Sequence, residues 1–599
     1  MRRRRAARSP LFPTRAGAPP SPSSPAGHPA VAPLPAVALL VAALLVVAAL
    51  TAPASARAAD RTETPVASSS PVTDVEESVV RVRVPLPESA GPRPEQCDWL
   101  SYLRYRHADG PAASEDADRI LIAQPGIFAG AGSFDGLARG TVHKAAENGD
   151  HIEFWALDRR SNCLEDRTGI QAGLAAGDVH LAVDYYYRQK AVDGRTFAGY
   201  QTNDQVEWLQ NVGLEQTVRD QYDLLVRELP DRRLRKQKVM CGGHSLGGVL
   251  TAYFAMWDFD GDPATTGDAG YEQCAGYFAL DTRIDTGILG MEGFPADMVP
   301  LVEFGAGVVR LGLEAGVVPR ALSAPAVVNT ETMNLLAMAG LAARLAPEGV
   351  SDLATYVPSS FNTDTTYRLL FSKDYPTFLT GSPTVRDFRF SNAAALGGLL
   401  DDNSQPLAFM QASVGFWDGG KIVDKEFPAP NNLDELGLGG LATLLGTDRK
   451  AIPDTPDGPL YTWRNYDLVG APDDPGHESE HGGPFTTAAK EVTDIAQLAR
   501  SLSEHPLDFT EHYFPTKLIT DIALADAPGI AGDAVHDGGI DANPTLNLQG
   551  GDGLGARDPR PGDVIAPGYQ HLDVLTAAAV QNGGRPEPIS LNLAAFAGR

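Results

Sequence analysis

The chain has 599 residues, of which 43% are hydrophobic, which is ordinary for a folded protein and leaves room for two compact units. It carries 49 lysines and arginines against 76 aspartates and glutamates, giving a formal net charge of −27. This acidity argues against nucleic acids and anionic membrane surfaces as binding partners, because both are negatively charged.

The first 56 residues have the pattern of an export signal. A basic start at Arg2–Arg5 precedes an apolar run from Ala36 to Leu50, and Ala54–Ala56 supplies the small-x-small pattern that a signal peptidase recognises. Because the apolar run is shorter than a membrane span of ~20 residues, we expect cleavage, secretion and no stable membrane insertion afterwards. The alternative is an N-terminal anchor on the outer side of the membrane. Residues 57–76 are polar and are interpreted as a linker.

Strands and helices alternate along the following part of the chain. Apolar and charged residues alternate within Val79–Val84, as in a half-exposed strand. The predicted helical segments carry apolar residues three or four positions apart. The predicted strands are Val79–Val84, Arg119–Ala123, His151–Leu157, Val239–Cys241 and Tyr277–Asp281, and the predicted helices are Phe134–Glu147, Leu214–Leu229 and Gly248–Trp257. This alternation predicts an α/β fold with a mostly parallel sheet and helices on both faces.

The pattern changes at about residue 287. Helical patterns at Thr330–Leu345 and Thr486–Leu502 are separated by Gly/Pro-rich stretches, and strand-like sequence returns only at Thr545–Leu548 and Asp563–Ala566. We therefore predict a mainly helical cap or lid inserted between two parts of one core. The alternative is a separate C-terminal domain. The predicted units are 77–286 and 511–599 for the core and 287–510 for the cap.

The most informative motif lies between a predicted strand and a predicted helix. Residues 241–248 are Cys-Gly-Gly-His-Ser-Leu-Gly-Gly, with glycines two positions before and after Ser245. A serine that attacks a carbonyl group has to project from a sharp strand-to-helix turn, and small residues at those positions leave room for the turn. Ser245 is therefore the predicted nucleophile. His244 points away from it on such a turn and is expected to line the substrate pocket or to pack.

With its flanking strand and helix, this motif resembles the nucleophile elbow of the α/β-hydrolase superfamily, in particular that of secreted lipase- and esterase-like serine hydrolases with a Gly-His-Ser-Leu-Gly sequence. As a layout, the resemblance covers roughly residues 80–290 and 510–599. It implies an α/β-hydrolase fold, the chain order Ser…Asp/Glu…His, and ester cleavage through an acyl-enzyme.

The base is expected on a loop just after the last sheet strand. His571 lies there, within Asp563–Leu575, and a helix-compatible tail follows. An imidazole in this role reaches the serine through one nitrogen while a carboxylate holds the other nitrogen in the required tautomer. His512, within Glu511–Phe514, is the competing histidine and is interpreted as part of an interface or helix.

Two aspartates compete to be that carboxylate. Asp552 follows the predicted penultimate strand, where the family usually carries its acid, 19 residues before His571. Asp281 ends the strand after the elbow, where some lipase-like members keep theirs. We favour Asp552, with Asp281 as the alternative and Asp558 and Asp563 behind them.

Two backbone N–H groups are expected to bind the oxyanion. One belongs to Leu246, the residue after the nucleophile, and the other comes from the loop Gln124–Phe128. Many relatives have His-Gly where this chain has Pro-Gly, so Ile127 and Phe128 are both candidates for the second donor.

The four cysteines allow disulfides in an exported protein. Cys97–Cys163 is the first expected pair, because both residues lie in polar, loop-like sequence. Cys241 lies in the predicted nucleophile strand and is expected to be either a buried free thiol or the partner of Cys274.

Two further motifs resemble metal sites. His477–His481 matches the His-Glu-x-x-His pattern of zinc proteases, but the flanking Gly and Pro residues predict a polar loop instead of the required helix. Asp258, Asp260 and Asp262 alternate as in calcium loops but lack the EF-hand glycine and glutamate. A structural calcium ion and a solvated acidic turn both fit this sequence, and no other cofactor is expected.

Together these residues predict an exported serine hydrolase that cleaves a small-molecule or lipid ester through Ser245, His571 and Asp552. An amide- or peptide-cleaving enzyme, or an acyltransferase, would use the same residues. A secreted binding protein that keeps the fold without catalysis is an alternative from a different class. A metalloprotease would require residues 477–481 to be helical and to bind zinc.

Overall fold

A nine-stranded β-sheet forms the centre of the structure. The computed structural model describes residues 60–287, 299–323, 328–432, 445–446, 449–555 and 559–599. The strands, numbered along the chain, are Arg61–Val66 (β1), Val75–Arg83 (β2), Trp99–His107 (β3), Ile120–Gln124 (β4), Glu153–Asp158 (β5), Val239–His244 (β6), Gly276–Leu280 (β7), Arg389–Phe390 (β8), Gly415–Asp418 (β9), Ile422–Asp424 (β10), Ala451–Pro453 (β11), Leu460–Asn465 (β12), Thr545–Gly550 (β13), Val564–Ala566 (β14), Val580–Gln581 (β15) and Arg585–Pro586 (β16). The order in the large sheet is β1-β2-β3-β5-β4-β6-β7-β13-β14.

Strand direction divides this sheet into two parts. The pairs from β1 through β2 and β3 to β5 are antiparallel, whereas β5, β4, β6, β7, β13 and β14 form a parallel array. The carboxyl ends of parallel strands lie at one edge, so the loops that follow β4, β6, β7, β13 and β14 meet there. The prediction of an α/β fold with a mostly parallel sheet is confirmed.

Helices cover both faces of the large sheet. Numbered along the chain, they are Asp135–Glu147 (α1), Thr168–Ala176 (α2), Val179–Arg188 (α3), Leu214–Glu228 (α4), Arg232–Lys238 (α5), Leu246–Met256 (α6), Val299–Glu314 (α7), Thr330–Leu345 (α8), Leu353–Tyr356 (α9), Phe361–Phe371 (α10), Tyr375–Thr380 (α11), Asn392–Leu400 (α12), Ile495–Ser503 (α13), Thr516–Ala523 (α14), Asp573–Thr576 (α15) and Pro588–Ala597 (α16). In β6, Val239 and Cys241 pack with α4, α6 and α14, while Met240 packs with α1 and α16 on the other face. Burial on both faces explains why the parallel strands are apolar along their length.

The chain leaves the sheet after β7 and returns at β13, which pairs with β7. Residues 282–544, called the inserted region below, contain the described elements α7 to α14 and β8 to β12. The elements from α8 to α13, with the exception of α11, pack around a separate apolar core that they share with α2 and α3. Helix α8 has the predicted bounds, whereas α13 begins later than predicted, at Ile495, because the Asp494 side chain caps its first turn. The strands of this region were not predicted. Strands β8, β10 and β11 have only two or three residues, which is too few for an alternating pattern.

The structure contains two disulfides. Cys97 is bonded to Cys163, as expected. Cys241 is bonded to Cys274, which ties β6 to the segment that precedes β7. Cys241 was expected to be either a free thiol or the partner of Cys274, and the structure shows the disulfide with Cys274.

The N-terminal part of the described chain differs from expectation. Arg61–Val66 lies within the segment interpreted as a linker, but it forms the edge strand β1 and pairs with β2. The predicted signal peptide, residues 1–56, lies outside the described residues. Among the described residues, no helix combines the length and the apolar character needed to cross a bilayer.

Candidate functional site

Ser245 occupies a sharp turn between β6 and α6. Its backbone has φ 55° and ψ −121°, which is a strained conformation for a residue with a Cβ. The neighbouring glycines are required by packing, because a Cβ on Gly243 or Gly247 would lie 2.5 Å or 2.1 Å from the Gln124 carbonyl oxygen. The turn predicted from the glycine spacing is therefore present, and it lies against the end of β4.

The Ser245 side chain is enclosed. The residue is 1% exposed, and its Oγ has no hydrogen-bond partner in the part of the chain that the structure describes. A Cβ on Gly126 would lie 3.0 Å from both Ser245 Cβ and His244 Nδ1, so the loop after β4 packs directly against the serine. A buried hydroxyl without a partner costs free energy, which makes this position a candidate for function.

His571 and Asp281 form a buried hydrogen-bonded pair. The Nδ1 atom of His571 lies 2.5 Å from Asp281 Oδ2, and neither side chain is accessible to solvent by more than a few per cent. Asp281 directly follows β7, and the preceding carbonyl, that of Leu280, accepts the Ser245 N–H at 3.1 Å. The pair therefore lies beside the Ser245 turn, at the carboxyl edge of the sheet.

The loop after β13 fixes the Asp281 carboxylate. Its oxygens accept the N–H groups of Gly550, Leu554 and Gly555 at 3.1, 2.8 and 3.2 Å. Gly553 packs closely on the same group, because a Cβ there would lie 2.5 Å from either oxygen. The carboxylate is held in one orientation from several sides.

Asp552, the acid favoured from the sequence, belongs to the same loop but faces elsewhere. Its carboxylate is 30% exposed and lies 3.7 Å from Lys490 Nζ. Because the structure places Asp281 against His571 Nδ1, the preference for Asp552 over Asp281 is reversed. Both aspartates follow strands that are neighbours in the sheet, which is why strand order alone did not separate them.

The remaining candidates for the acid and the base lie in other contacts. Asp563 forms an ion pair with Arg283 at 3.0 Å, and Asp558 lies outside the described residues. His512 Nε2 lies 3.2 Å from the buried carboxylate of Asp508. None of these contacts involves Ser245.

His244 supports the loop that carries His571. Its Nε2 donates to the His571 carbonyl at 2.9 Å, and the two rings lie 4.4 Å apart. A carbonyl can only accept, so this bond fixes the tautomer with the proton on Nε2. Burial, together with the nearby His571 ring, lowers the pKa of His244 well below its usual value, which keeps the ring neutral. The packing role expected for His244 agrees with this contact.

The backbone N–H groups expected to bind the oxyanion lie near Ser245. Within the described residues, no acceptor receives the N–H of Leu246, Ile127 or Phe128. They belong to the first turn of α6 and to the loop after β4, the two segments that meet at Ser245. Phe128 has φ 57°, an uncommon conformation for a residue other than glycine, and its ring lies 5.4 Å from that of Phe514.

The two motifs that resemble metal sites have local roles in the structure. Residues 477–481 form a loop, as predicted, in which His481 Nε2 lies 3.1 Å from Glu426 Oε1. This backbone does not place His477 and His481 on one helical face, as zinc proteases require.

In the acidic loop after α6, the carboxylates of Asp258, Asp260 and Asp268 lie within 4.8 Å of one another, and Asp262 is not part of that group. Asp268 accepts the N–H groups of Phe259 and Asp260, and Asp258 accepts that of Gly261. These bonds account for the turn by themselves, so the structural calcium stays a prediction.

An apolar cavity of about 90 Å³ lies within the inserted region. Its lining includes Leu336, Ala339, Leu370, Phe371, Leu399 and Met410. The residue after Met410 is Gln411, whose carbonyl accepts the Leu572 N–H at 3.0 Å. The wall of the cavity is therefore connected to the loop that carries His571.

Two residues that contact the loop after β4 were not found by sequence reasoning. Arg159, which directly follows β5, donates to carbonyl groups of that loop and pairs with Glu511. The two residues are 352 positions apart, so no spacing in the sequence connects them.

Comparison with models of protein families and with curated proteins finds no match for this chain. A function for it is therefore inferred from the geometry of the site.

Proposed function

We propose that this chain is an exported serine hydrolase with an α/β-hydrolase fold that cleaves carboxylic esters. Ser245 is the nucleophile, His571 the general base and Asp281 the acid that orients it. The observation that carries the proposal is the buried His571–Asp281 hydrogen bond beside the strained turn that presents Ser245. A nucleophile, an oriented base and unpaired N–H donors in one place are what acyl transfer requires.

The first half of the reaction transfers the acyl group to the enzyme. His571 takes the Ser245 proton through Nε2 while its Nδ1–H stays bonded to Asp281, and the serine oxygen attacks the ester carbonyl. His571 then gives the proton to the alcohol oxygen as the C–O bond breaks, which leaves an acyl-enzyme. In the free protein Ser245 Oγ has no partner among the described residues, and catalytic hydrogen bonds commonly tighten only when substrate is bound.

The second half returns the enzyme to its starting state. His571 removes a proton from water, and the hydroxide attacks the acyl-enzyme. His571 then returns that proton to Ser245 Oγ as the bond to the acyl group breaks and the acid leaves. In both halves the carbonyl oxygen becomes negative. In this proposal the N–H of Leu246 and one N–H from the loop after β4 stabilise that charge.

The features of the inserted region favour a substrate with an apolar acyl or alcohol portion. We assign it the role of a cap, because Ser245 is almost fully buried and substrate entry requires movement of its surroundings. The apolar cavity of this region, whose wall is linked to the His571 loop through Gln411, suits a hydrocarbon chain. Two disulfides and the predicted leader favour secretion.

Hydrolysis of p-nitrophenyl esters by the purified protein tests the proposal. We expect the wild type to hydrolyse them and both Ser245→Ala and His571→Ala to lose kcat by about 10⁴-fold or more. Circular dichroism would confirm that the variants are folded. Ester hydrolysis that survives Ser245→Ala at the wild-type rate would rule out this nucleophile.

A further inference from the structure

We propose that Arg159 and Glu511 form a buried clamp, called the Arg159–Glu511 clamp below, that positions the loop after β4 for oxyanion binding. The inference rests on the proposed function, since it identifies what holds the second oxyanion donor in place. Arg159 and Glu511 touch the loop rather than the substrate, so they are positioning residues. The loop consists of Pro125 to Ala129.

Arg159 reaches three carbonyl groups of this single loop. Its Nη1 donates to the Pro125 oxygen at 2.7 Å, and its Nη2 donates to the Gly126 and Ala129 oxygens at 2.5 and 3.0 Å. The side chain is 4% exposed, so water does not compete for these carbonyls. A guanidinium presents five donors in a fixed plane, which a lysine ammonium cannot reproduce.

Glu511 balances the buried charge and holds a fourth carbonyl. Its Oε2 accepts from Arg159 Nε at 2.7 Å, and its Oε1 accepts from Ser161 Oγ at 2.5 Å. Its own N–H donates to the Phe128 oxygen at 2.8 Å. Four of the five carbonyl groups from Pro125 to Ala129 are thus held by the clamp. Without Glu511 the buried guanidinium would be an uncompensated charge, which is strongly destabilising.

Fixing the carbonyl groups also fixes the N–H groups. In a planar trans peptide the C=O and the following N–H point in opposite directions. Because the Gly126 carbonyl points at Arg159, the Ile127 N–H points away from the clamp. Gly126 itself packs against Ser245 and His244. The geometry therefore favours Ile127, of the two candidates in the loop, as the second oxyanion donor.

The clamp also supports a strained backbone and strengthens the donor. Phe128 has φ 57°, a conformation that persists only when its surroundings hold it. Glu511 holds the Phe128 carbonyl and Arg159 holds the next one, so the strained residue is fixed on its C-terminal side. A charge-assisted bond to the Gly126 carbonyl polarises that peptide, which makes the Ile127 N–H a better donor.

Arg160 offers a matched control. It follows Arg159 directly, is 1% exposed, and forms its own ion pair with Asp220 at 2.9 and 2.5 Å. Its remaining bonds go to the carbonyl groups of Val84 and Cys97, which lie outside the loop after β4. Replacing either arginine by lysine disrupts a buried ionic network of similar kind, but only one of the two networks holds the loop.

The experiment compares Arg159→Lys and Arg160→Lys in the full-length mature protein. For p-nitrophenyl ester hydrolysis we expect Arg159→Lys to lower kcat by about 10²-fold, the loss seen when an oxyanion donor is removed, with KM changed by less than about threefold. Arg160→Lys should keep kcat within about threefold of wild type even where its Tm falls equally. Ser161→Ala, a milder change in the same network, should lower kcat by a smaller factor than Arg159→Lys.

Hydrogen exchange separates this inference from the proposed function. The amides of residues 126–130 should exchange faster in Arg159→Lys than in Arg160→Lys, whether or not the wild type hydrolyses esters. An active wild type in which both lysine variants lose kcat in proportion to Tm would overturn the clamp while leaving the proposed function intact. A wild type that shows no esterase activity and no labelling of Ser245 would instead overturn the proposed function, and the catalytic role of the clamp with it. Unchanged exchange in Arg159→Lys would overturn the clamp in either case.

Discussion

The large sheet and the inserted region differ in what they contribute to the proposed site. The sheet presents Ser245 after β6 and Asp281 after β7, which are neighbouring parallel strands. The inserted region contains neither residue, yet it holds the loops on both sides of them. The difference indicates that Ser245 and Asp281, the proposed nucleophile and acid, follow strand ends, whereas their surroundings are fixed by contacts made over long distances in sequence.

Residues of the inserted region form hydrogen bonds with two separate loops, the loop after β4 and the loop that carries His571. On one side Glu511 holds the loop after β4. On the other side the N–H and Oγ of Ser413 donate to the Asp573 carboxylate at 3.0 and 2.9 Å, two residues beyond His571. Asp573 is fully buried, and this burial raises the pKa of its carboxyl to about 6.

The largest expected effect separates the two aspartates near the sheet edge. Asp281→Asn should lower kcat by about 10⁴-fold, because an amide no longer holds the imidazole in the required tautomer. Asp552→Asn, its matched control, should leave kcat nearly unchanged, since its carboxylate faces Lys490. Steady-state kinetics on one ester decides between them. Equal losses in the two variants would contradict the assignment of the acid.

A smaller effect is expected where the loop after β4 contacts Ser245, the proposed nucleophile. Gly126→Ala places a methyl group 3.0 Å from Ser245 Cβ, so the loop or the serine has to shift by a fraction of an ångström. A displacement of about 1 Å in an active site costs about 10²-fold in rate, so we expect this smaller shift to lower kcat by less than that. Gly532→Ala, where a Cβ meets nothing within 4 Å, serves as the control. Wild-type kcat in Gly126→Ala would show that this contact does not constrain the site.

The inserted region should influence substrate choice more than chemistry. Ala339→Leu adds methyl groups to the lining of the apolar cavity and should lower kcat/KM for long-chain esters by about tenfold, while short-chain esters are affected much less. Ala343→Leu changes the same helix one turn later, in the same core but outside the cavity lining. A chain-length series measured on both variants tests this. Identical profiles would exclude the cavity as a site for the acyl or alcohol chain.

The smallest effect on catalysis is expected at Glu504, whose contribution is to stability and its dependence on pH. Burial alone would raise the pKa of Glu504, but the Ser69 N–H, Arg500 and Arg344 together lower it to about 2, from an ordinary value of 4.5. The unfolded chain therefore binds a proton between these values that the folded protein does not, so Glu504 stabilises the fold above pH 4.5 and this contribution is lost as the pH falls towards 2.

Glu504→Gln removes this contribution. Between pH 4.5 and 2, the slope of the unfolding free energy against pH should be smaller in the variant by up to about 1.4 kcal/mol per pH unit. Urea titrations at several pH values measure it. Parallel stability curves for the two proteins would contradict the ionic role of Glu504.

The sheet was largely predictable because its elements have local signals. Apolar runs bounded by Gly and Pro mark β4 and β6, and the apolar spacing over Leu214–Leu229 marks α4, which ends at Glu228. The glycine spacing around Ser245 reflects a packing requirement against Gln124, so the turn could be inferred from residue types alone. His571 was identified by its position after the last strand of the large sheet, and it is where the structure places the partner of Asp281.

What could not be predicted depends on which loops meet in space. Strands β7 and β13 are neighbours in the sheet, so position along the chain does not separate an aspartate after β7 from one after β13. The sequence favoured Asp552, whereas in the structure the loop Gly550–Gly555 encloses Asp281. Arg159 and Glu511 are 352 residues apart and share no motif. Strand β1 was missed because its residues are polar and exposed, as expected for an edge strand, and carry no apolar alternation.

The most direct test of the central claim is covalent labelling of the mature protein with a fluorophosphonate, followed by peptide mapping. We predict a single adduct on Ser245 that is absent in Ser245→Ala, is formed much more slowly in Asp281→Asn, and is formed at the wild-type rate in Asp552→Asn. Folded wild-type protein that remains unlabelled, or an adduct on another serine, would contradict the account.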